Sequence, residues 1–155
     1  MTFREELEVI LEKELTVLIG LKDLSFIKTD MIINNHIRDL EKTTKEEEAL
    51  INKMALLEEE RERLLHTWGL AIDTTISNVI ERLPEDNTKL IGIKDNMHEV
   101  MSELALRNKL NNDLINENLD WIDFNMNLLT STHTDPVYGK ENKKAGGNSI
   151  FDRKV

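Results

Sequence analysis

Apolar residues recur at helical spacing through residues 1–83 with no proline among them, and this feature most constrains the fold. Residues three and four positions apart share one face of an α-helix. Thr2, followed three residues later by Glu5, forms the capping-box pattern of a helix start. We therefore predict one long helix over residues 3–66. Its apolar stripe, in which Thr44 and Arg61 are polar, comprises Leu7, Ile10, Leu11, Val17, Leu18, Leu21, Leu24, Ile33, Ile37, Leu40, Thr44, Ile51, Met54, Arg61, Leu65 and Trp68.

The stripe changes phase part of the way along this predicted helix. Steps of seven from Ile10 reach positions 17, 24 and 31, whereas the later stripe uses 33, 40 and 54. The slip falls near Asn34-Asn35-His36, so the sequence leaves open whether the helix is continuous, bent or broken within 34–44. A helix with one apolar face cannot bury that face alone, and it therefore needs a helical partner.

The rest of the chain supplies that partner and a tail. Residues 72–83 form a short amphipathic segment, and Pro84-Glu85-Asp86-Asn87 marks a turn suited to a helix start. A further helix is predicted over 88–129, antiparallel to the first. Residues 131–155 are polar and contain three glycines, which favours disorder. The predicted fold is all-α: an elongated antiparallel helical hairpin or coiled coil over 1–130, with a short connecting helix and a flexible C-terminal tail.

The charge balance makes several kinds of partner unfavourable. The formal net charge is −10. Acids outnumber bases over residues 1–130, whereas bases outnumber acids over residues 131–155. An acidic body repels phosphate, so nucleic acid and anionic membrane surfaces are poor partners. The first residues lack the basic and apolar pattern of a signal peptide, and no run approaches the roughly 20 apolar residues that span a bilayer. We therefore expect a soluble, cytoplasmic protein without stable membrane insertion.

The sequence contains no pattern that indicates catalysis or a cofactor. There is no cysteine, and the four histidines never form a pair four residues apart. Phosphate-binding glycine loops, the G-x-S-x-G elbow and H-E-x-x-H are absent. The carboxylates of Asp113, Glu117, Asp120 and Asp123 share helical spacing, but carboxylates on a helix cannot wrap an ion as a loop does. We predict a protein that is not an enzyme and has no cofactor or metal.

Asparagine in the last predicted helix is the most unusual feature. Four asparagines alternate with apolar residues at steps of three and four, although asparagine is a poor helix former. One interpretation is that buried amides fix the register of a coiled coil. The other is a partly exposed surface that accepts an incoming amphipathic helix, with Trp121 and Phe124 beside it as anchors. The track comprises Leu104, Asn108, Asn111, Ile115, Asn118, Ile122, Asn125 and Leu129.

These segments together resemble a known family. The chain contains M-I-I-N-N-H-I, L-L-E-E-E-R-E-R-L-L and, in the last helix, L-R-N-K-L-N-N-D-L-I-N-E-N-L-D-W-I-D-F. The tail adds P-V-Y-G and I-F-D-R-K-V. This order resembles the flagellar export chaperones of the FlgN type over nearly the whole chain.

The resemblance implies a non-enzymatic cytoplasmic chaperone. Its cargo would be the flagellar hook-associated proteins of the hook–filament junction, whose terminal helices it would keep from assembling early. It would deliver them to components of the flagellar export apparatus. Since the C-terminal part binds cargo in this family, the resemblance points to Asn108, Asn111, Leu114, Asn118, Trp121, Ile122, Asn125, Leu129, Tyr138 and Phe151.

Two other functions fit the same residues. The first is a structural coiled-coil protein that forms a homodimer through its long first helix. The second is a chaperone for the substrates of another secretion system, which would use the same physics on different cargo. The sequence is compatible with a monomer or a homodimer.

Overall fold

The computed structural model describes residues 1–84 and 86–130, without the side chains of Trp121, Ile122, Asn125 and Thr130. These residues form four helices and no strand: α1 (Phe3–Ile33), α2 (Ile37–Thr67), α3 (Ile76–Arg82) and α4 (Thr88–Thr130). The predicted all-α class and the short connecting helix are therefore confirmed. The predicted tail lies outside the described residues.

The first two helices form an antiparallel hairpin. Phe3 lies beside Trp68 with their rings 5.4 Å apart, and Lys28 Nζ lies 3.3 Å from Glu47 Oε1. The start of α1 therefore lies beside the end of α2, and the end of α1 lies beside the start of α2. An elongated antiparallel hairpin is thus confirmed, although its two arms are α1 and α2.

The single helix predicted over 3–66 is wrong, because the chain reverses at 34–36. Asn35 has φ of 55°, a left-handed conformation that asparagine adopts more readily than most residues. The backbone N–H of His36 donates to the carbonyl of Met31 at 2.9 Å. The change of phase in the apolar stripe marked this position correctly. It reflects two helices that face each other instead of one helix that bends.

The last helix runs parallel to α1, so the prediction that it would be antiparallel to the first helix is also wrong. Lys89 lies against Glu8 near the start of both helices, and Lys22 Nζ lies 3.4 Å from Glu103 Oε2 further along. The reason is topological. Because α2 returns the chain to the N-terminal end of α1, a short connector can start α4 only at that end.

Helix α1 is the centre of the molecule, since α2 and α4 both contact it along its length and barely touch each other. This explains why its apolar stripe is broad. At Gly20 a Cβ atom would lie 3.1 Å from Leu50, so the missing side chain lets α2 approach closely. The buried apolar core comprises Phe3, Leu7, Ile10, Leu11, Val17, Leu18, Leu21, Ile32, Met54, Leu57, Leu64, Leu65, Ile76, Val79, Leu90, Ile93, Met97, Val100 and Leu104.

Short polar contacts fix the helix starts. The predicted capping box is confirmed: Glu5 N–H donates to Thr2 Oγ1, and Thr2 N–H donates to Glu5 Oε2 at 2.9 Å. Asp86 accepts from the backbone N–H of Thr88 at 3.0 Å, at the start of α4. Among the described residues, no helix is long and apolar enough to cross a membrane.

Candidate functional site

Helix α4 extends well beyond the helix that supports it. Thr29, one turn before the end of α1, donates a hydrogen bond to Asn111 Oδ1 at 2.6 Å. From this level α1 continues for only four residues, whereas α4 continues to Thr130. At 1.5 Å per residue, about 15 residues of α4, or ~22 Å, lie past the end of α1. We call residues 116–130 the projecting segment.

The face of α4 that contacts α1 continues into the projecting segment. Along α1 the buried positions of α4 follow steps of three and four and then one step of seven, which is the spacing of a coiled-coil seam. They are Leu90, Ile93, Met97, Val100, Leu104 and Asn111. The same spacing leads on to positions 118, 121, 125 and 128, where α1 has ended and supplies no partner. Of these four positions, Asn118 and Leu128 have described side chains, and both are exposed.

Large apolar side chains of the projecting segment are exposed. Phe124 is 60%, Leu128 64% and Leu129 84% exposed, and Met126 is also exposed. Phe124 and Leu128 are four residues apart and therefore share one face of α4, and an exposed apolar face is typical of a site that binds another protein. Phe124 was recognised from the sequence only as a neighbour of the asparagine track. Met126 and Leu128 were missed, although Leu128 could have been found by extending the buried spacing of α4 by complete heptads.

The predicted site residues do not all lie on one surface. Asn108, Asn118 and Leu129 are exposed, and Leu114 is half-buried. Asn111 is buried, at 3% exposure, inside the seam between α1 and α4. Trp121, Ile122 and Asn125 belong to α4, but their side chains are not described, and Tyr138 and Phe151 lie outside the described residues.

Asn111 serves the fold of the described chain. Its Nδ2 donates to the carbonyl of Ser25 at 2.9 Å, and its Oδ1 accepts from the hydroxyl of Thr29. Arg107 lies beside this group, with its guanidinium 3.8 Å from the centre of the Phe26 ring. Buried amides of this kind fix the register of packed helices. The interpretation that buried amides fix the register therefore applies to Asn111.

The projecting segment is acidic. Glu117, Asp120 and Asp123 lie on it, Asp113 lies about one turn before it, and residues 110–130 contain no lysine or arginine. Within the described residues, none of these four carboxylates forms an ion pair. No group of three or more acidic or histidine side chains there could hold a metal ion. The surface therefore combines apolar contact area with uncompensated negative charge.

The shifted pKa values lie at the opposite end of the molecule. Thr2 donates to the carboxylate of Glu5, and Thr88 donates to that of Asp86, which lowers the pKa of each carboxyl group. Hydrogen bonding and attraction by Glu12, with a smaller contribution from Glu8, raise the pKa of Lys89. These groups cap helices and join α1 to α4, so they serve the fold.

Comparison with known proteins gives one match. A family model described as FlgN protein matches residues 1–146. No curated protein and no solved structure matches the chain.

Proposed function

This chain belongs to the FlgN family of flagellar export chaperones, and we propose that its cargo is a hook-associated protein of the hook–filament junction. In this proposal the chain acts in the cytoplasm, covers an amphipathic terminal helix of the cargo and prevents early assembly. It then delivers the cargo to components of the flagellar export apparatus. The proposed role is binding and contains no catalytic step.

The observation that carries the proposal is the seam that continues past the end of α1. Its register positions 118, 121, 125 and 128 repeat the spacing by which α4 contacts α1, but lie where α1 is absent. A cargo helix along this face would contact the projecting segment in the way that α1 contacts the preceding part of α4. Proteins that assemble through helices expose apolar stripes before assembly, and such stripes promote aggregation.

The chemistry of the surface suits reversible binding. Burial of a large apolar side chain such as Phe124 or Leu128 contributes about 1.5–3 kcal/mol. Ordering a cargo segment that is disordered when free costs about 2–5 kcal/mol, which keeps the complex dissociable. The exposed amides of Asn108 and Asn118 can donate and accept hydrogen bonds where the register of the cargo helix is chosen.

A co-purification experiment with matched variants tests the proposal. We expect the wild-type chain to form a soluble one-to-one complex with a co-expressed hook-associated protein. Replacing Phe124 and Leu128 by aspartate should abolish the complex, because both are exposed and their loss spares the core. Leu106→Asp is the control. Leu106 is 71% exposed on the same helix, but it lies before the projecting segment, at a level where α1 is still present. Retained binding by F124D/L128D, or equal loss in L106D, would remove the projecting segment as the cargo surface.

Electrostatics bear on the alternative of a structural homodimer. A second copy docked face to face would bring three further carboxylates to a projecting segment that already carries three. Repulsion between the carboxylates of the two copies would oppose association, most strongly at low salt. Sedimentation of the free chain distinguishes the two functions, and a chaperone that uses this face for cargo should not dimerise through it.

A further inference from the structure

The tail contains a motif that the proposed cargo surface does not use. Residues 140–155 carry five basic and two acidic residues, a net charge of +3, and Ile150-Phe151 lies among them. This is the opposite composition to the projecting segment, which is acidic and apolar and has no base after Lys109. The two parts of the chain therefore have opposite charge, and both carry apolar side chains.

We propose that residues 140–155 bind the projecting segment of α4 within the same molecule, and that a partner helix must displace them. Ile150 and Phe151 supply apolar contacts to the exposed stripe that contains Phe124 and Leu128. The basic residues lie against the carboxylates of α4. The part of the proposal that concerns displacement by cargo rests on the proposed function, whereas the contact within the chain does not.

The connecting chain is long enough for this contact. Nineteen residues lie between Thr130 and Ile150, and the twenty Cα–Cα steps that join the two reach ~66 Å when the chain is fully extended. As a flexible coil they span about 25 Å on average, which is close to the ~22 Å length of the projecting segment. Gly139, Gly146 and Gly147 lie within this stretch, and glycine allows the chain to reverse direction.

The tail is favoured over a second copy as the occupant. A second copy carries the same uncompensated carboxylates, so face-to-face docking adds repulsion. The tail removes charge instead, since its bases can approach Asp113, Glu117 and Asp120. It is also present at a fixed effective concentration, whatever the concentration of the protein.

Tethering makes even a weak contact effective. At an effective concentration of about 1 mM, a contact with a dissociation constant of about 0.1 mM is formed about 90% of the time. Occupancy of this level weakens the apparent affinity for a competing helix about tenfold. The tail would thus cover the apolar stripe in the free protein and yield to a partner that binds more tightly.

Hydrogen exchange of the full chain without cargo tests the contact. An isolated helical end exchanges quickly, because its backbone hydrogen bonds open without breaking tertiary contacts. We expect amides in 116–130 to exchange about tenfold more slowly in the wild type than in I150S/F151S, the factor that 90% occupancy gives. K143E/K144E should also accelerate exchange there. The control K42E/K45E makes the same charge change at exposed sites on α2 and should leave exchange in 116–130 unchanged.

The outcomes separate this proposal from the proposed function. Equal exchange in the wild type and either tail variant, or equal acceleration in K42E/K45E, overturns the contact. Protection that grows with protein concentration assigns it to a second copy and overturns it as well. Because no cargo is present, a failure to bind hook-associated proteins leaves this result intact. If both hold, I150S/F151S should bind the cargo about tenfold more tightly than the wild type.

Discussion

Arg61 of α2 and Glu14 of α1 form a buried ion pair, with Arg61 Nε 3.5 Å from Glu14 Oε1 and side-chain exposures of 4% and 2%. Glu58 lies on the outer side of the same guanidinium, with Oε1 3.9 Å from Nη2. Removing two charges from water is costly, and their attraction offsets this cost only while both are present. We therefore expect the pair to favour one position of α2 along α1.

We expect the loss of either charge to be more damaging than the loss of both. Arg61→Met leaves the carboxylate of Glu14 buried without its guanidinium, which should lower the free energy of unfolding by about 3–5 kcal/mol. The double variant E14L/R61M removes both charges and should lose less than R61M alone. Urea unfolding followed by far-UV circular dichroism gives the comparison. A double variant as unstable as R61M would show that packing, and not charge, fixes this position.

Two asparagines of α4 should respond differently to the same substitution. Asn111→Ala removes the partner of the Ser25 carbonyl and the Thr29 hydroxyl within the seam, which should cost about 1–3 kcal/mol of stability. Asn118→Ala is the matched control, because Asn118 is exposed. Alanine is the better helix former, so N118A should be neutral or up to ~0.7 kcal/mol more stable. Thermal unfolding of both variants checks this, and equal destabilisation would contradict the assignment.

The reversal between α1 and α2 should depend on the conformation of Asn35. A β-branched side chain strongly disfavours positive φ, so Asn35→Val should lower the free energy of unfolding by about 1–2 kcal/mol. Asn35→Gly should be tolerated, because glycine adopts this conformation without strain. Chemical denaturation of the two variants provides the measurement. Similar stabilities would mean that this turn tolerates another backbone conformation.

Acidification should weaken the helix starts at the end of the molecule that contains Thr2 and Thr88. Hydrogen bonds from these residues lower the pKa of the Glu5 and Asp86 carboxyl groups below their unfolded values. The stabilisation is therefore present above the unfolded pKa and is lost as the pH falls through the folded pKa. We expect Tm to fall less in E5Q/D86N than in the wild type between about pH 6 and pH 3, because the variant lacks these titrating groups. Parallel curves for the two proteins would contradict this.

The sequence predicted the helical content, the capping box and the position at which the first stripe changes phase. Periodicity records which face of a helix is apolar but not which helix covers it. A phase slip at Asn34-Asn35-His36 is therefore equally compatible with a bend and with a reversal. The positive φ of Asn35 decides for the reversal, and the parallel direction of α4 then follows from chain connectivity.

The candidate site was predicted in part. The asparagine track directed attention to α4, but its spacing could not show that α1 ends near the level of Asn111. That end point divides the track: Asn111 lies inside the seam, while Asn118 lies beyond it. Burial of an amide depends on the length of the neighbouring helix, and this length became defined only when residues 3–66 proved to be two helices.

Helix α1 is the shared wall of two seams, and this has a consequence for which substitutions the molecule tolerates. A change on α1 alters its fit to α2 and α4 at once, whereas a change on the α1-facing side of α2 or α4 alters one of these two seams. Since α2 and α4 barely touch, their exposed surfaces can change independently of each other. Amino-acid substitutions among relatives should accordingly be least frequent along α1 and most frequent in the projecting segment of α4.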